Sequence, residues 1–496
     1  MPRKPDSVPE LCQLTATEAV TQLRRGEISP LDLVDAAAQR IALVEPHLNA
    51  LPTLCIERAR DAAEQLMANP PADADRPGWL GGLPVAIKDL NDVAGVRTTY
   101  GSPIYADHVP TRSDIMVEQL EANGAIVIAK SNTPEFGAGA STFNEVFGKT
   151  RNPWNVEKSV AGSSGGASAA VASGEVWLAT GSDLGGSLRT PASFNSVVGL
   201  RPSPGRVARG PLSQPFDTLM VEGPIARNAA DCALLLDAMC GRHREDPISL
   251  ARPTESFSSA LAAARPPKRV AFSPNLGIVP VDREVIAVCE QAAQQFESMG
   301  AIVERACPDF SEVIESFQIL RASIFAAGHA DHLRDHRAKL KPEVIWNIEK
   351  GLALTAEQIG RAEAARARLY ANSVAFFDSY DLLLCPAAIV PPFDVDVRYV
   401  EEVDGERFDN YVHWISITFA ITATSCPALS APAGFTAAGL PVGLQIVAPP
   451  QADAAALSAA ALLEQATGFA GRLPIDPHDN DGRNLLNIHR AELGLE

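Results

Sequence analysis

Val176-Trp177-Leu178-Ala179-Thr180-Gly181-Ser182-Asp183-Leu184-Gly185-Gly186-Ser187-Leu188-Arg189-Thr190-Pro191-Ala192 changes character twice within its length. Val176 to Thr180 is a short apolar run of strand type, Gly185-Gly186-Ser187 is a turn, and a helix is expected after it. Strand, glycine turn and helix in that order is the unit from which α/β folds are assembled. Glycines bring successive backbone N–H groups toward one spot with no Cβ in the way, which makes an anion-binding nest. A nest beside a serine hydroxyl is an oxyanion hole beside a nucleophile, and a helix starting there adds its positive end. A glycine pair alone is as often a plain connection; Asp183-x-Gly-Gly-Ser-x-Arg189-x-Pro-Ala is far more specific.

Two further segments carry chemistry. Leu83 to Ile87 is an apolar run that predicts a buried strand ending on Lys88, followed by Asp89 and Asn91. Most lysines at a strand end reach solvent, but one held in a desolvated site loses its charge more easily and can serve as a base for serine. Gly162-Ser163-Ser164-Gly165-Gly166 lies between the two and leads into a small-residue helix, Gly165 to Ser173. It also matches G-x-S-x-G with Ser164 central, the nucleophile elbow of Ser-His-Asp esterases. Histidines at 243, 329, 332, 336, 413, 478 and 489 satisfy the required chain order, but that reading leaves Lys88 and the Gly-Gly-Ser turn unexplained.

Working outward, Thr15 to Arg25 and Ser29 to Glu45 read as capped helices, Ser113 to Asn123 as a helix stopped at Gly124, and Ala125 to Ala129 as a strand. Phe136 to Val160 is Gly-, Asn- and Pro-rich, hence loop. Arg269 to Phe272 and Ile302 to Glu304 are strands flanking a helix over Arg283 to Met299; Ser311 to Tyr380 is mostly helical. Tyr380 to Cys385 and Gly443 to Val447 return to strand, and Ala454 to Thr467 is a closing helix. The rhythm predicts one large α/β domain with a helical excursion near 310–410.

The chain has 496 residues, 46% of them hydrophobic, and a net charge of −18, which argues against nucleic-acid or anionic-membrane partners. Its eight cysteines form no C-x-x-C pair, which predicts reduced thiols and a cytoplasmic location. Met1 to Ser7 leads into no apolar leader. Asn410 to Ala452 is uncharged when His413 is neutral, but Pro427, Pro432, Pro441 and Pro449 interrupt it, so it reads as core rather than a membrane span. Its part Asn410 to Ser425, with Tyr411, Trp414 and Phe419, is equally compatible with a substrate tunnel and with core. His329, His332 and His336 share a helical face and read as a polar surface helix, not a metal site. No phosphate-binding loop or dinucleotide fingerprint is present, so no cofactor and no metal is expected.

The chain resembles the amidase signature family of Ser–cisSer–Lys hydrolases. The resemblance is carried by Gly82 to Asp89, Ala129 to Phe136, Phe147 to Trp154, Ala161 to Gly166, Asp183 to Ala192, Val198 to Pro202 and Leu440 to Val447, in family order, and by the Ser163–Ser187 spacing. It implies a central twisted mixed β-sheet covered by helices on both faces, with a helical segment over 1–70 packed on an amidase domain over 71–496. It also implies Ser187 as nucleophile, Ser163 as a bridging serine after a cis peptide bond, and Lys88 as terminal base. The N–H groups of Leu184, Gly185, Gly186 and Ser187 would form the oxyanion hole, with Ser182, Asp183 and Arg189 as supports and the backbone at Gly137 lining the acyl pocket.

The family's substrates imply a small-molecule amide, ester or carbamate (urethane), with hydrophobic amides favoured here, and a homodimer as default assembly. The glutaminase component of a tRNA-dependent amidotransferase shares these motifs, and Gly205-Arg206-Val207 resembles it. The acidic residue that holds the glutamine amine there falls at Ile415 in this chain, and no acid lies between Asn410 and Ser425. A non-catalytic binding protein that keeps the fold is the reading from a different class.

Overall fold

The computed structural model describes residues 8–492; Met1 to Ser7, including the expectation about a leader, lies outside the described residues. Eleven strands form one mixed sheet: β1 (Thr53–Leu54), β2 (Pro84–Lys88), β3 (Ile126–Ser131), β4 (Leu178–Asp183), β5 (Val198–Arg201), β6 (Val221–Ala226), β7 (Arg269–Phe272), β8 (Ile302–Arg305), β9 (Leu382–Pro386), β10 (Ala428–Phe435) and β11 (Pro441–Val447). Their spatial order is β1-β3-β2-β4-β6-β5-β10-β11-β9-β7-β8. β2 runs parallel to both β3 and β4, and β7 parallel to β8 and β9; the remaining pairs are antiparallel. Every residue of β2, β3 and β4 is buried, as expected for strands covered by helices on both faces.

The parallel pairing of β2 with β4, in the register Val85↔Leu178 and Ala86↔Ala179, has one consequence for chemistry. It brings the carboxyl end of β2, where Lys88 stands, beside the carboxyl end of β4, where Ser182 and Asp183 stand. Open α/β sheets place their ligand sites at these strand ends.

The helices form where the caps indicated. Thr15 and Ser29 each close a capping box, with Glu18 and Asp32 respectively, at the starts of Ala16–Arg25 and Pro30–Leu48. These helices bury Ala19, Leu33, Val34, Ile41 and Val44 in the same continuous core as the sheet. Arg40 is fully buried there: its Nη1 donates to Asp476 Oδ1 at 2.8 Å, and its Nε and Nη2 donate to the carbonyls of Ser173 and Ile475, each at 2.8 Å.

The chain departs from the sequence expectation in several places. The helical excursion is Val313–His336, Pro342–Leu352 and Ala356–Phe377, and it ends at β9 rather than near 410; residues 391–410 are irregular apart from a hairpin at 402–407. Phe136 to Val160 is not all loop but carries short hairpins over 143–149 and 151–159. β6 was hidden because Gly223-Pro224 reads as a turn, yet both sit inside a buried strand. Most of Asn410 to Ala452 is core, as the residue pattern predicts: helix Ser416–Ala423 and strands β10 and β11, with the 437–439 turn exposed. No helix of the described residues is long and apolar enough to cross a membrane.

Removing one partner of a buried ion pair strands the other. Arg40→Ala is therefore expected to cost about 3–5 kcal/mol of folding stability. Chemical denaturation measures the loss, and KM should stay at the wild-type value because Arg40 bonds to Ser173, Ile475 and Asp476 and to no residue at the strand ends of β2 and β4.

Candidate active site

Lys88 has no solvent-accessible surface. Its Nζ donates to three serine hydroxyls: Ser163 at 2.7 Å, Ser164 at 2.8 Å and Ser182 at 2.9 Å. Burial pushes its amine down to about 7, against the opposing pull of Glu222 and Asp183. The nearby Lys130 is equally buried but meets a carboxylate, Asp89 Oδ1 at 3.2 Å, besides the Asn91 carbonyl and the Thr98 hydroxyl at 2.7 Å each, and the carboxylate favours its ammonium form. A hydroxyl can accept or donate, so the shell around Lys88 suits both the charged and the neutral amine.

Each member of this cluster has its own anchor. Lys88 ends β2, and Ser182 lies in β4. Ser163 and Ser164 close the loop that precedes the helix Gly165–Ser173, and the Gly162–Ser163 peptide is cis. The Ser164 N–H donates to the Ser187 carbonyl at 3.2 Å, which ties this loop to the Gly-Gly-Ser turn.

The turn is shaped from beneath by Asp183. Its carboxylate accepts the Gly186 N–H at 2.8 Å and the Leu188 N–H at 3.2 Å, and two bonds from Arg189, each at 2.9 Å. Burial by itself would raise the Asp183 carboxyl, but the Arg189 and Arg201 guanidiniums reverse the sign and hold it well below the usual carboxylate range. Arg189 in turn donates to the Thr418 carbonyl and Thr422 Oγ1 at 2.8 Å each, and to Gln445 Oε1. The expectation for Gly186 needs correction: its N–H is committed to Asp183, whereas those of Leu184, Gly185 and Ser187 make no hydrogen bond among the described residues. Gly186 has φ +118, and a Cβ there would lie 2.2 Å from Thr418 Oγ1.

A cavity of about 250 Å³ opens over this cluster. Ser163, Ser182 and Ser187 form its polar floor, with Leu184 and Gly185 beside them. Gly137 faces Ser163 across it; a Cβ at Gly137 would lie 3.5 Å from Ser163 Oγ and 3.2 Å from Leu90. The walls are mainly apolar: Leu90, Phe136, Leu212, Met220, Ile324, Phe325 and Ile415. Ser164 is fully buried and is not part of the lining. Its hydroxyl is taken up by Lys88 and the Ser182 carbonyl, not by a histidine.

Several of these residues were missed or misread in the sequence. Arg321, Ile324, Phe325, Gly328 and His329 line the cavity from one face of the helix Val313–His336. Their i, i+3, i+4, i+7, i+8 spacing was the available signal. His329 and His332 do not belong to a polar surface: both pack on Phe136, at 4.5 and 5.2 Å between ring centroids. Burial, followed by the neighbouring His332, takes His329 down to about 4. Among the described residues no group of three or more His, Cys, Asp or Glu could hold a metal ion. The segment Asn410 to Ser425 divides: Tyr411 and Ile415 line the cavity, while Trp414 and Phe419 are core. Glu222, paired in register with Ser182, supplies a buried acid beside Lys88 that no sequence motif marked.

Known proteins share this architecture. A protein-family model described as Amidase matches residues 32–457. An acylamidase of Rhodococcus erythropolis is 36% identical over 470 residues, covering 93% of this chain and 97% of the relative. A glutamyl-tRNA(Gln) amidotransferase component of Thermus thermophilus is also 36% identical, over 92% of this chain and 98% of its own. The crystal structure of a bacterial aryl acylamidase of the amidase signature family superposes with a TM-score of 0.85 at 29% identity, covering 93% of this chain and 99% of that one.

A Cβ at Gly186 collides with Thr418 and opposes the backbone torsion. Gly186→Ala is expected to lower kcat by at least about 10²-fold, the scale of losing an aligned backbone donor in the turn. Steady-state hydrolysis of an anilide substrate reads this loss.

Proposed function

This chain belongs to the amidase family and is an amide hydrolase; on that premise we propose that it cleaves the C–N bond of amides with an apolar aryl or aliphatic body through an acyl-enzyme on Ser187. The observation that carries this reading is a buried lysine amine, ringed by serine hydroxyls, beneath a mainly apolar cavity whose floor includes Ser187. In the proposed sequence neutral Lys88 takes a proton from Ser163 as Ser163 takes one from Ser187. Ser187 attacks the amide carbonyl, and the N–H groups of Leu184, Gly185 and Ser187 hold the oxyanion. The relay returns the proton to the leaving amine, and water then repeats the steps to release the acid. Esters and carbamates present the same carbonyl to the same nucleophile and are included in the proposal.

Sequence identity does not separate the acylamidase from the amidotransferase component, so the cavity must decide. Ile415 lines it where an acid would hold the glutamine amine, and the acid that does line it, Asp217, is engaged by the Leu219 and Met220 N–H groups at 2.9 and 3.1 Å. This favours apolar amides over glutamine. Burial of Ser164 away from the cavity likewise disfavours it as a nucleophile.

On a neutral anilide such as 4-nitroacetanilide the enzyme should release 4-nitroaniline, and it should release no ammonia from L-glutamine; the opposite result would reverse the assignment. Ser187→Ala should lose at least about 10⁴-fold in kcat, and the double variant with Lys88→Ala should be no worse, since residues acting as one unit are not additive. The base must be neutral, and its pKa is lowered to about 7, so kcat/KM should be low below that pH, rise through it and level off above it. A pH–rate profile checks the direction, and Lys88→Ala should abolish that limb.

A further inference from the structure

Arg321 is 6% exposed and lines the catalytic cavity. Its Nη2 donates to the Tyr411 hydroxyl at 2.8 Å and its Nη1 to Asn347 Oδ1. Both partners are neutral, and among the described residues no carboxylate lies within ion-pair reach of it. The neighbouring Glu343 is engaged instead by Arg398, through contacts of 2.7 to 2.9 Å. The other arginine of the lining, Arg209, has Asp217 at 4.0 Å, so its charge is met within the protein. A buried guanidinium without a counter-charge is costly unless something else supplies one.

The donors left without a partner indicate what that is. A guanidinium carries five N–H groups in one plane. Asn347 and Tyr411 take one from each terminal nitrogen, which leaves the Nε–H and a second N–H on each without an acceptor among the described residues. The Phe325 ring lies 4.6 Å from the guanidinium carbon, so one face is covered and the edge is left for an in-plane acceptor. The Tyr411 hydroxyl receives hydrogen bonds from both Arg321 and Asn347, its own proton has no acceptor among the described residues, and Tyr411 lines the same cavity. A fork of N–H groups beside one O–H is the complement of a carboxylate.

We propose that the substrates of this enzyme are amides that carry a carboxylate on an otherwise apolar body, and that Arg321, aided by Tyr411, is the residue that selects it. The inference rests on the amide-hydrolase reading above and narrows its substrate class. The carboxylate belongs either to the acyl part or to the amine part, and the two are separable.

The test compares matched substrates on the wild-type enzyme: glutaryl-4-nitroanilide against pentanoyl-4-nitroanilide for the acyl side, and N-acetyl-4-aminobenzoate against acetanilide for the amine side. A kcat/KM at least 10-fold higher for the charged member of either pair is expected, and the pair that shows it identifies the side. Arg321→Gln should collapse that ratio toward one, whatever happens to neutral turnover, and Arg321→Lys should recover part of it. If the variants do not fold, competition on the wild type still decides: benzoate should inhibit at least 10-fold more tightly than benzyl alcohol. Neutral members preferred in both pairs, a ratio unchanged by Arg321→Gln, or equal inhibition by the acid and alcohol probes overturns the proposal. The amidase reading is judged separately, by turnover of the neutral anilides and its loss in Ser187→Ala.

Discussion

Taking a lysine amine entirely out of water, and giving it only hydroxyl partners, is the demand around which the rest of this molecule is arranged. An ammonium in that position would need a carboxylate, as Lys130 has in Asp89. Lys88 has instead Ser163, Ser164 and Ser182, with Glu222 and Asp183 acting from further away. The arrangement requires two buried strands side by side, β2 and β4, and a serine loop laid across their ends. Parallel pairing supplies the first, and the N-terminal approach of the helix Gly165–Ser173 supplies the second.

The second demand is a turn that leaves the N–H groups of Leu184, Gly185 and Ser187 without a partner among the described residues while it is bonded from within. Asp183 meets it by accepting the N–H groups of Gly186 and Leu188 and the guanidinium of Arg189, so the shape of the turn is set from below. Arg189 extends the same network to Thr418, Thr422 and Gln445, linking the turn to the helix Ser416–Ala423 and to β11. The charges in this network are compensated and hydrogen-bonded, which is the condition under which buried ions are tolerated.

The excursion Val313–His336 supplies one wall of the cavity. It offers the cavity one face, with an arginine, apolar side chains and a neutral histidine on it. In the proposed function the serines of the cavity floor carry the chemistry. The helix face and Tyr411 set the substrate preference in the proposed function, because overall identity to an acylamidase and to an amidotransferase component is the same.

The strand–turn–helix unit at Val176 to Ala192, the buried strand ending on Lys88, and the paired serines were legible because each is a local pattern: a period, a glycine pair, an apolar run. From them the sequence alone determined an α/β fold and the set of groups that meet at its centre. It could not reveal β6, whose Gly223-Pro224 looks like a turn until its neighbours bury it, nor the helical wall, whose spacing is readable but whose facing partner is not. It assigned Gly186 an outward N–H that Asp183 in fact takes, and it set Ser164 aside although Ser164 touches Lys88. These were decided only by the tertiary structure, for one physical reason. Which way an N–H points, and whether a charge is compensated, depends on groups brought together from distant parts of the chain, and no local pattern carries that information.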